Sequence, residues 1–238
     1  MSRIRVHDPW APDHQSRRPP RLLLMIVLTL GLVGASALFG RLSAPAPSGS
    51  PRLPAQLAGA TRMNGDVPVG YAQTRGGAVA AATNFSAVLA GPLVLEPDRY
   101  RAAERVIATP SAQARVAAEG EQAITAVDGG TQAIAEARRG VRVAVRYTPI
   151  AYRVTAYDIG RATVSIWGLW MVGEQGWLAP TQTWSTRTVV LEWTGGDWKL
   201  ARSSTSPGPA PQLGQEAART AELPPQLTDF EEYAHVNR

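Results

Sequence analysis

The hydrophobic pattern changes character repeatedly along the chain. Leu22 to Gly40 is an unbroken uncharged run between Arg21 and Arg41. As a helix it would span roughly 28 Å, close to the hydrocarbon thickness of a bilayer, so the pattern predicts a single transmembrane helix over 22–40. Its first half, LLLMIVLTLGLV, is strongly apolar, while Gly31, Gly34, Ala35 and Ser36 are small residues that such helices tolerate. A cleaved signal peptide is the rival reading, since Ala35-Ser36-Ala37 offers a cleavage site. The apolar run continuing through Leu38 and Phe39 favours a retained anchor.

Around this run the chain lacks periodicity. Residues 1–21 mix Pro, Arg, Asp and His, and are expected to be a disordered cytoplasmic tail. After the anchor, Pro45, Pro47, Pro51 and Pro54 exclude a regular helix, which makes 41–65 a Pro/Ala/Ser-rich stalk.

Helical spacing dominates next, within a domain expected over 66–206. Order resumes at Val67-Pro68-Val69-Gly70-Tyr71. Thr74 is placed to cap a helix whose positions Val79, Ala82, Thr83, Ser86 and Leu89, joined by Phe85, recur at helical intervals until Gly91-Pro92. A second helix fits Pro97 to Ala108. Pro110 and Ser111 open a third that runs to about Val127, and a shorter fourth covers Thr131 to Arg139. The abundant alanine suits close packing against a sheet, or contact with another subunit.

From Gly140 the period is two. Val141, Val143, Val145 and Tyr147 share one parity, and after Pro149 the apolar set moves to Ile150, Tyr152 and Val154. A parity flip at a proline implies a bulge in one long bent strand, or a strand break. Asp158-Ile159-Gly160-Arg161 turns into a second strand, Ala162 to Val172, which is apolar on both parities and therefore central. A third strand covers about Thr181 to Trp193, and Thr194-Gly195-Gly196-Asp197 signals a hairpin into Trp198-Lys199-Leu200-Ala201. Helices followed by an antiparallel meander define the α+β class. From Pro207 the chain becomes a Pro-rich acidic tail over 207–238. Within it Asp229 to Tyr233 fits a short helix that would set Phe230 and Tyr233 side by side, docking onto the domain or onto a partner.

Charge fixes orientation and removes one function class. Arg3, Arg5, Arg17, Arg18 and Arg21 precede the apolar run, so the positive-inside rule keeps the N-terminus cytoplasmic and the bulk of the chain outside a cell membrane. Arg17-Arg18 matches the pair of a twin-arginine signal, but Pro19 and Pro20 stand where an apolar residue belongs. The sequence pI near 10.1 suggests nucleic acid. Yet the residues from 41 onward hold 19 of the 24 basic side chains against 17 of the 19 acidic ones, a balance that argues against direct nucleic-acid binding.

The chain has no cysteine, and its three histidines, His7, His14 and His235, all lie outside the expected domain. Thiol chemistry, a Ser-His-Asp triad and a His-ligated zinc site are thereby excluded from it. No metal or cofactor is expected. Arg138, Arg139, Arg142, Arg146 and Arg153 cluster at the start of the sheet; Arg142 and Arg146 form a polar outer face, either solvated or meeting an acidic partner.

The order of anchor, stalk, helices and meander, closing on Val189-Val190-Leu191-Glu192-Trp193-Thr194-Gly195-Gly196-Asp197-Trp198-Lys199-Leu200, resembles a nuclear transport factor 2-like cone. On a single anchor, with Val67-Pro-Val-Gly-Tyr followed by Gly76-Gly77-Ala78, it is similar to the inner-membrane scaffold component of type IV secretion and conjugation machines of high-GC Gram-positive bacteria. That resemblance implies three or four helices packed on a bent sheet. It also implies a non-enzymatic, single-pass scaffold that assembles with itself or with other membrane subunits.

A cone of this kind can enclose an apolar pocket. Tyr147, Tyr152, Trp167, Trp170 and Trp184 are the candidates to line it, with core packing as the plainer role for the tryptophans. Some relatives of the fold are isomerases or dehydratases with a deep carboxylate or tyrosine. Here the available groups are Asp158, Tyr147, Tyr152 and Tyr157, and Asp158 reads better as a turn residue. A membrane-tethered ligand-binding or enzymatic cone is thus the alternative reading. Arg142, Arg146, Phe230 and Tyr233 are the candidate partner contacts.

Overall fold

The computed structural model describes residues 59–129, 132–210, 227 and 229–233. The expected tail over 1–21, the transmembrane helix over 22–40 and most of the stalk lie outside the described residues. The end of the segment read as stalk forms structure of its own: β1 (Arg62–Asn64) pairs antiparallel with β2 (Val67–Val69) across Gly65-Asp66. Gly65 has φ 59° at the first central position, as a type II′ turn requires.

Thr74 caps α1 (Arg75–Leu89), its hydroxyl accepting a hydrogen bond from the Gly77 N–H at 3.0 Å. This satisfies one of the amides that a helix start leaves without an internal partner. Thr74→Ala should therefore lower stability by about 1 kcal/mol, seen as an earlier denaturant midpoint at unchanged slope.

The buried face of α1 includes Ala78, Val79, Ala81, Ala82, Phe85 and Ser86, a wider arc than the stripe predicted from spacing. By length and composition Arg75–Leu95 is apolar enough to cross a membrane. In the fold this surface packs with residues of the sheet, among them Val164, Val189 and Leu191.

Prolines set the next two helices. Pro97 begins α2 (Pro97–Ile107), and Pro110 opens a 3-10 turn leading into α3 (Gln113–Asp128). α4 (Ala133–Arg138) is a short fourth helix.

Four long antiparallel strands follow: β3 (Val143–Tyr157), β4 (Arg161–Glu174), β5 (Leu178–Thr194) and β6 (Asp197–Pro207). Their order is β6-β5-β4-β3, with the two-residue β7 (Glu231–Glu232) added outside β3. β4 is central, as its apolar residues on both parities predict.

The parity flip resolves as a bulge within one strand, since pairing steps from Pro149↔Gly168 to Ala151↔Trp167 and leaves out Ile150. Pro180, which lacks an N–H to donate, sits in another irregularity between β4 and β5. Gly195 and Gly196 both have positive φ, 61° and 78°, matching the type I′ hairpin read from the sequence.

β5 and β6 extend beyond their expected ends, because Thr and Ser positions without apolar alternation still pair, for example Thr188↔Ser204. The short helix expected over 229–233 is replaced by β7. One helical turn is unstable alone, whereas the open edge of β3 pairs with Glu231 and Glu232 through Tyr152 and Ala151.

Candidate functional site

The sheet divides the five pocket candidates instead of gathering them. Successive side chains of a strand point to opposite faces. Ile166 packs in the helix-side core, and Trp167 belongs to a separate cluster with Ala151 and Leu227. Tyr147 and Tyr152 pack on the helix side and Trp170 joins a second cluster with Tyr100 and Val145. Trp167 and Trp184 stack outside, ring centres 4.7 Å apart. The expectation of a single pocket lined by all five is corrected by this alternation.

The helix side is packed with side chains. Trp198 is fully buried, donates from Nε1 to the Ala72 carbonyl at 2.9 Å and meets Trp193 edge-on. Tyr147 lies over Gly168, where any Cβ would approach its hydroxyl to 2.7 Å. That hydroxyl is buried without a hydrogen-bond partner, and burial raises its pKa against the opposing Arg187 charge. Asp158 accepts hydrogen bonds from the Gly160 and Arg161 amides, which is turn chemistry.

One buried carboxylate stands out on the helix side. Glu104 of α2 is 3% exposed, and its Oε2 has no hydrogen-bond partner. It faces Gly120 of α3, so closely that a methyl group at 120 would overlap the carboxylate. Burial is the main cause that pushes its pKa up to about 7. Glu121 and Glu119 add to the rise, while Arg101 and Arg105 oppose it. Arg101 is itself engaged by Glu121, with contacts at 2.5 and 3.0 Å. Helical spacing alone does not single out Glu104. The signal is a charged residue on the same stripe as Tyr100, Ala103 and Ile107.

The outer face carries a second assembly of side chains. After β6 the chain crosses it: the Trp167 indole donates to the Pro209 carbonyl at 2.8 Å, and the Thr186 hydroxyl to that of Gly208 at 3.0 Å. Leu227 and Phe230 complete the cluster around the stacked tryptophans. Arg153 lies 4.9 Å over the Phe230 ring and 3.6 Å from Asp229. β7 then pairs with β3, and Glu231 meets Arg75 at 2.6 Å.

Tyr233 reaches the helix side, 5.0 Å from the Tyr152 ring and 2.9 Å from the Thr83 hydroxyl. Phe230 and Tyr233, expected to dock on the domain or on a partner, thus lie on their own domain. Arg142 and Arg146 are exposed, with no ion-pair partner among the described residues.

Two further surface features complete the picture. Trp177 is 70% exposed in the β4–β5 turn, next to Arg142, whose carbonyl accepts from the Gln175 N–H at 3.0 Å. A cleft of about 330 Å³ is lined by Asp66, Val88, Leu93, Glu96 and Arg99, where the Arg99 guanidinium already binds both acidic neighbours. Among the described residues no three His, Asp or Glu side chains converge on a metal position.

These features define a mixed helix-and-sheet domain on a four-strand antiparallel sheet. The chain belongs to the family described as "Domain of unknown function (DUF8175)", matched over residues 50–220. It is also similar to a solved structure titled "Crystal structure of intermembrane space region of chloroplast protein ARC6", at 13% identity and a TM-score of 0.35, covering 62% of this chain and 99% of that one. No curated protein matches.

Proposed function

We propose that the chain is a non-enzymatic, single-pass membrane scaffold subunit whose extracytoplasmic domain works by protein–protein assembly, with copies of itself or with other subunits of a conjugation- or type IV secretion-like apparatus. The nuclear transport factor 2-like cone belongs to the same proposal, which draws on helices packed against an antiparallel meander interrupted by bulges. The observation that carries the reading is the placement of Trp177. Gly70 and Tyr71 bind Asp197 at the β5–β6 end of the sheet, so the chain enters the domain there. Trp177 stands at the other end of β5, on the order of 50 Å away, in the turn whose Gln175 amide donates to the carbonyl of the exposed Arg142. Tryptophan and arginine are the residues that most often anchor interfaces.

Full-length protein in solubilised membranes tests this. Trp177→Ala should leave unfolding within about 0.5 kcal/mol of the parent, because the ring is exposed, yet weaken co-purification with its assembly about tenfold. A chain that is always an isolated monomer, with no transfer defect on deletion, overturns the reading. The second reading, a membrane-tethered ligand-binding or enzymatic cone, draws on the buried, unpartnered Tyr147 hydroxyl. It requires a small molecule that raises the melting temperature of the parent and fails to do so for Tyr147→Phe.

A further inference from the structure

We infer that α3 is a pH-responsive cover, lying on α2 while the Glu104 carboxyl holds its proton and lifting away once that carboxyl ionises. The inference stands on this helix pair and goes beyond the scaffold reading.

α3 is thinly held. Of its 16 residues only Val116, Gly120 and Ile124 are buried, against seven in α1. Spaced by four, the three form one seam along the helix. Its two ends are apolar: Val116 joins the core cluster of Ala103 and Ile107, and Ile124 joins that of Tyr100. Its centre is not. There Gly120 faces the Glu104 carboxylate with no room for a Cβ, and the carboxylate Oε2 is buried without a hydrogen-bond partner. The contact that closes the pair in the middle is therefore one that can acquire a charge.

The surroundings set the direction of the response. From α3, Glu119 and Glu121 flank Gly120 and repel an ionised Glu104; from α2, Arg101 and Arg105 oppose them. Arg101 is already engaged by Glu121 and Asp98, and Arg105 is exposed. Among the described residues no cation pairs with Glu104. On the sheet, Arg187 and Arg202 act on Glu119, which also accepts from the Ser203 hydroxyl and lies 3.5 Å from Arg115. Lys199 donates to the Val106 carbonyl, and the Tyr100 hydroxyl to that of Leu89. A neutral carboxyl tolerates this site, whereas a carboxylate needs water.

α3 is the element that can admit it. α2 buries Tyr100, Ala103 and Ile107 and is tied to β6 through Lys199. The Thr109 amide bonds to Leu200 and the Arg115 side chain to the Ala201 carbonyl, which keeps the first turn of α3 in place as a hinge. Beyond it the polar tie across the seam is Arg101–Glu121, an exposed ion pair of the kind that holds weakly. Lifting this part of α3 uncovers Glu104 and leaves the packing of α1 on the sheet intact.

Hydrogen exchange of the full-length protein in solubilised membranes, from pH 5 to 8, tests this, with each amide corrected for its intrinsic rise in rate with pH. Glu104 is ordinary at 4.5 when uncovered and sits at about 7 when covered. The open fraction reported by residues 117–128 should therefore rise on the order of fiftyfold. In Glu104→Gln, which never ionises, it should stay constant within about twofold. Low denaturant separates local from global opening: the α3 rates should hold steady while those of α1 climb.

Two results overturn the inference. One is the same pH dependence in the parent and in Glu104→Gln. The other is α3 exchanging at the rate of α1 and climbing with it in denaturant, which makes the opening global unfolding. Neither bears on co-purification, so the scaffold reading stands or falls separately.

Discussion

Asp197→Ala should cost the domain about 4 kcal/mol, the largest loss expected from a single polar side chain here. Asp197 is 3% exposed, and its carboxylate accepts three backbone hydrogen bonds, from the amides of Gly70 at 2.7 Å, Tyr71 at 3.1 Å and Trp198 at 2.9 Å. Hydrogen bonds to an ionised acceptor are worth about 1.5–3 kcal/mol each, and an amide left buried without a partner carries its full desolvation cost. The three do not sum, since water entering a truncated site satisfies part of the loss.

The position also matters. The carboxylate joins the β2–α1 connection to the β5–β6 hairpin, and the neighbouring Trp198 indole makes a second tie to Ala72. Asp197→Asn keeps one acceptor oxygen and the shape, and should lose about half as much. Equilibrium unfolding in denaturant checks both, and a loss below about 1 kcal/mol for the alanine variant contradicts the account.

Asp197 also shows which part of the site the sequence makes legible. Its place after Thr194-Gly195-Gly196 reads at once as a hairpin, because turn chemistry is local. Its other partners, Gly70 and Tyr71, lie more than 120 residues upstream, and no local signal connects them. The same division holds elsewhere. Thr74, Gly91-Pro92, Pro97 and Pro110 mark helix ends by backbone constraints that act within a few residues, and the structure places the boundaries near them. Pro149 marks the β3 bulge for the same reason.

What is not local is harder to read. The opposite parities of Trp167 and Trp170 within β4 already separate them. Trp184 can be assigned a face only through the pairing Leu169↔Trp184 between two strands. The β1–β2 hairpin is announced by Asn64-Gly65, but the prolines and alanines before it mask the signal. The segment Asp229 to Tyr233 has helical spacing on paper and pairs as a strand because β3 offers an open edge, a fact of tertiary structure.

The second large effect concerns Glu104, and its sign is opposite. A carboxyl group whose pKa is about 7 in the fold, against an ordinary value of 4.5, is protonated more readily in the folded than in the unfolded chain. Below pH 4.5 both forms hold the proton and the contribution to stability is complete. Between about pH 4.5 and 7 the unfolded chain releases its proton while the folded chain keeps it, so stability falls as pH rises. Above 7 the loss is constant. Glu104→Gln keeps the shape and never ionises, and should stabilise the domain by about 2 kcal/mol at pH 8 and by little at pH 4.5.

The difference between parent and variant, followed by denaturant unfolding from pH 4.5 to 8, isolates this group from carboxylates such as Glu121, whose contact with Arg101 lowers its pKa. A flat difference would mean that Glu104 is not buried between α2 and α3. Gly120 supplies the structural check. Gly120→Ala should destabilise the parent strongly, because its methyl overlaps the carboxylate, and should do much less harm beside Glu104→Ala, which vacates that space. A coupling of about 1 kcal/mol or more between positions 104 and 120 is expected. A glycine inside a helix is unfavourable by about 1 kcal/mol relative to alanine, and at Gly120 that cost makes room for a buried acid that lowers stability at neutral pH.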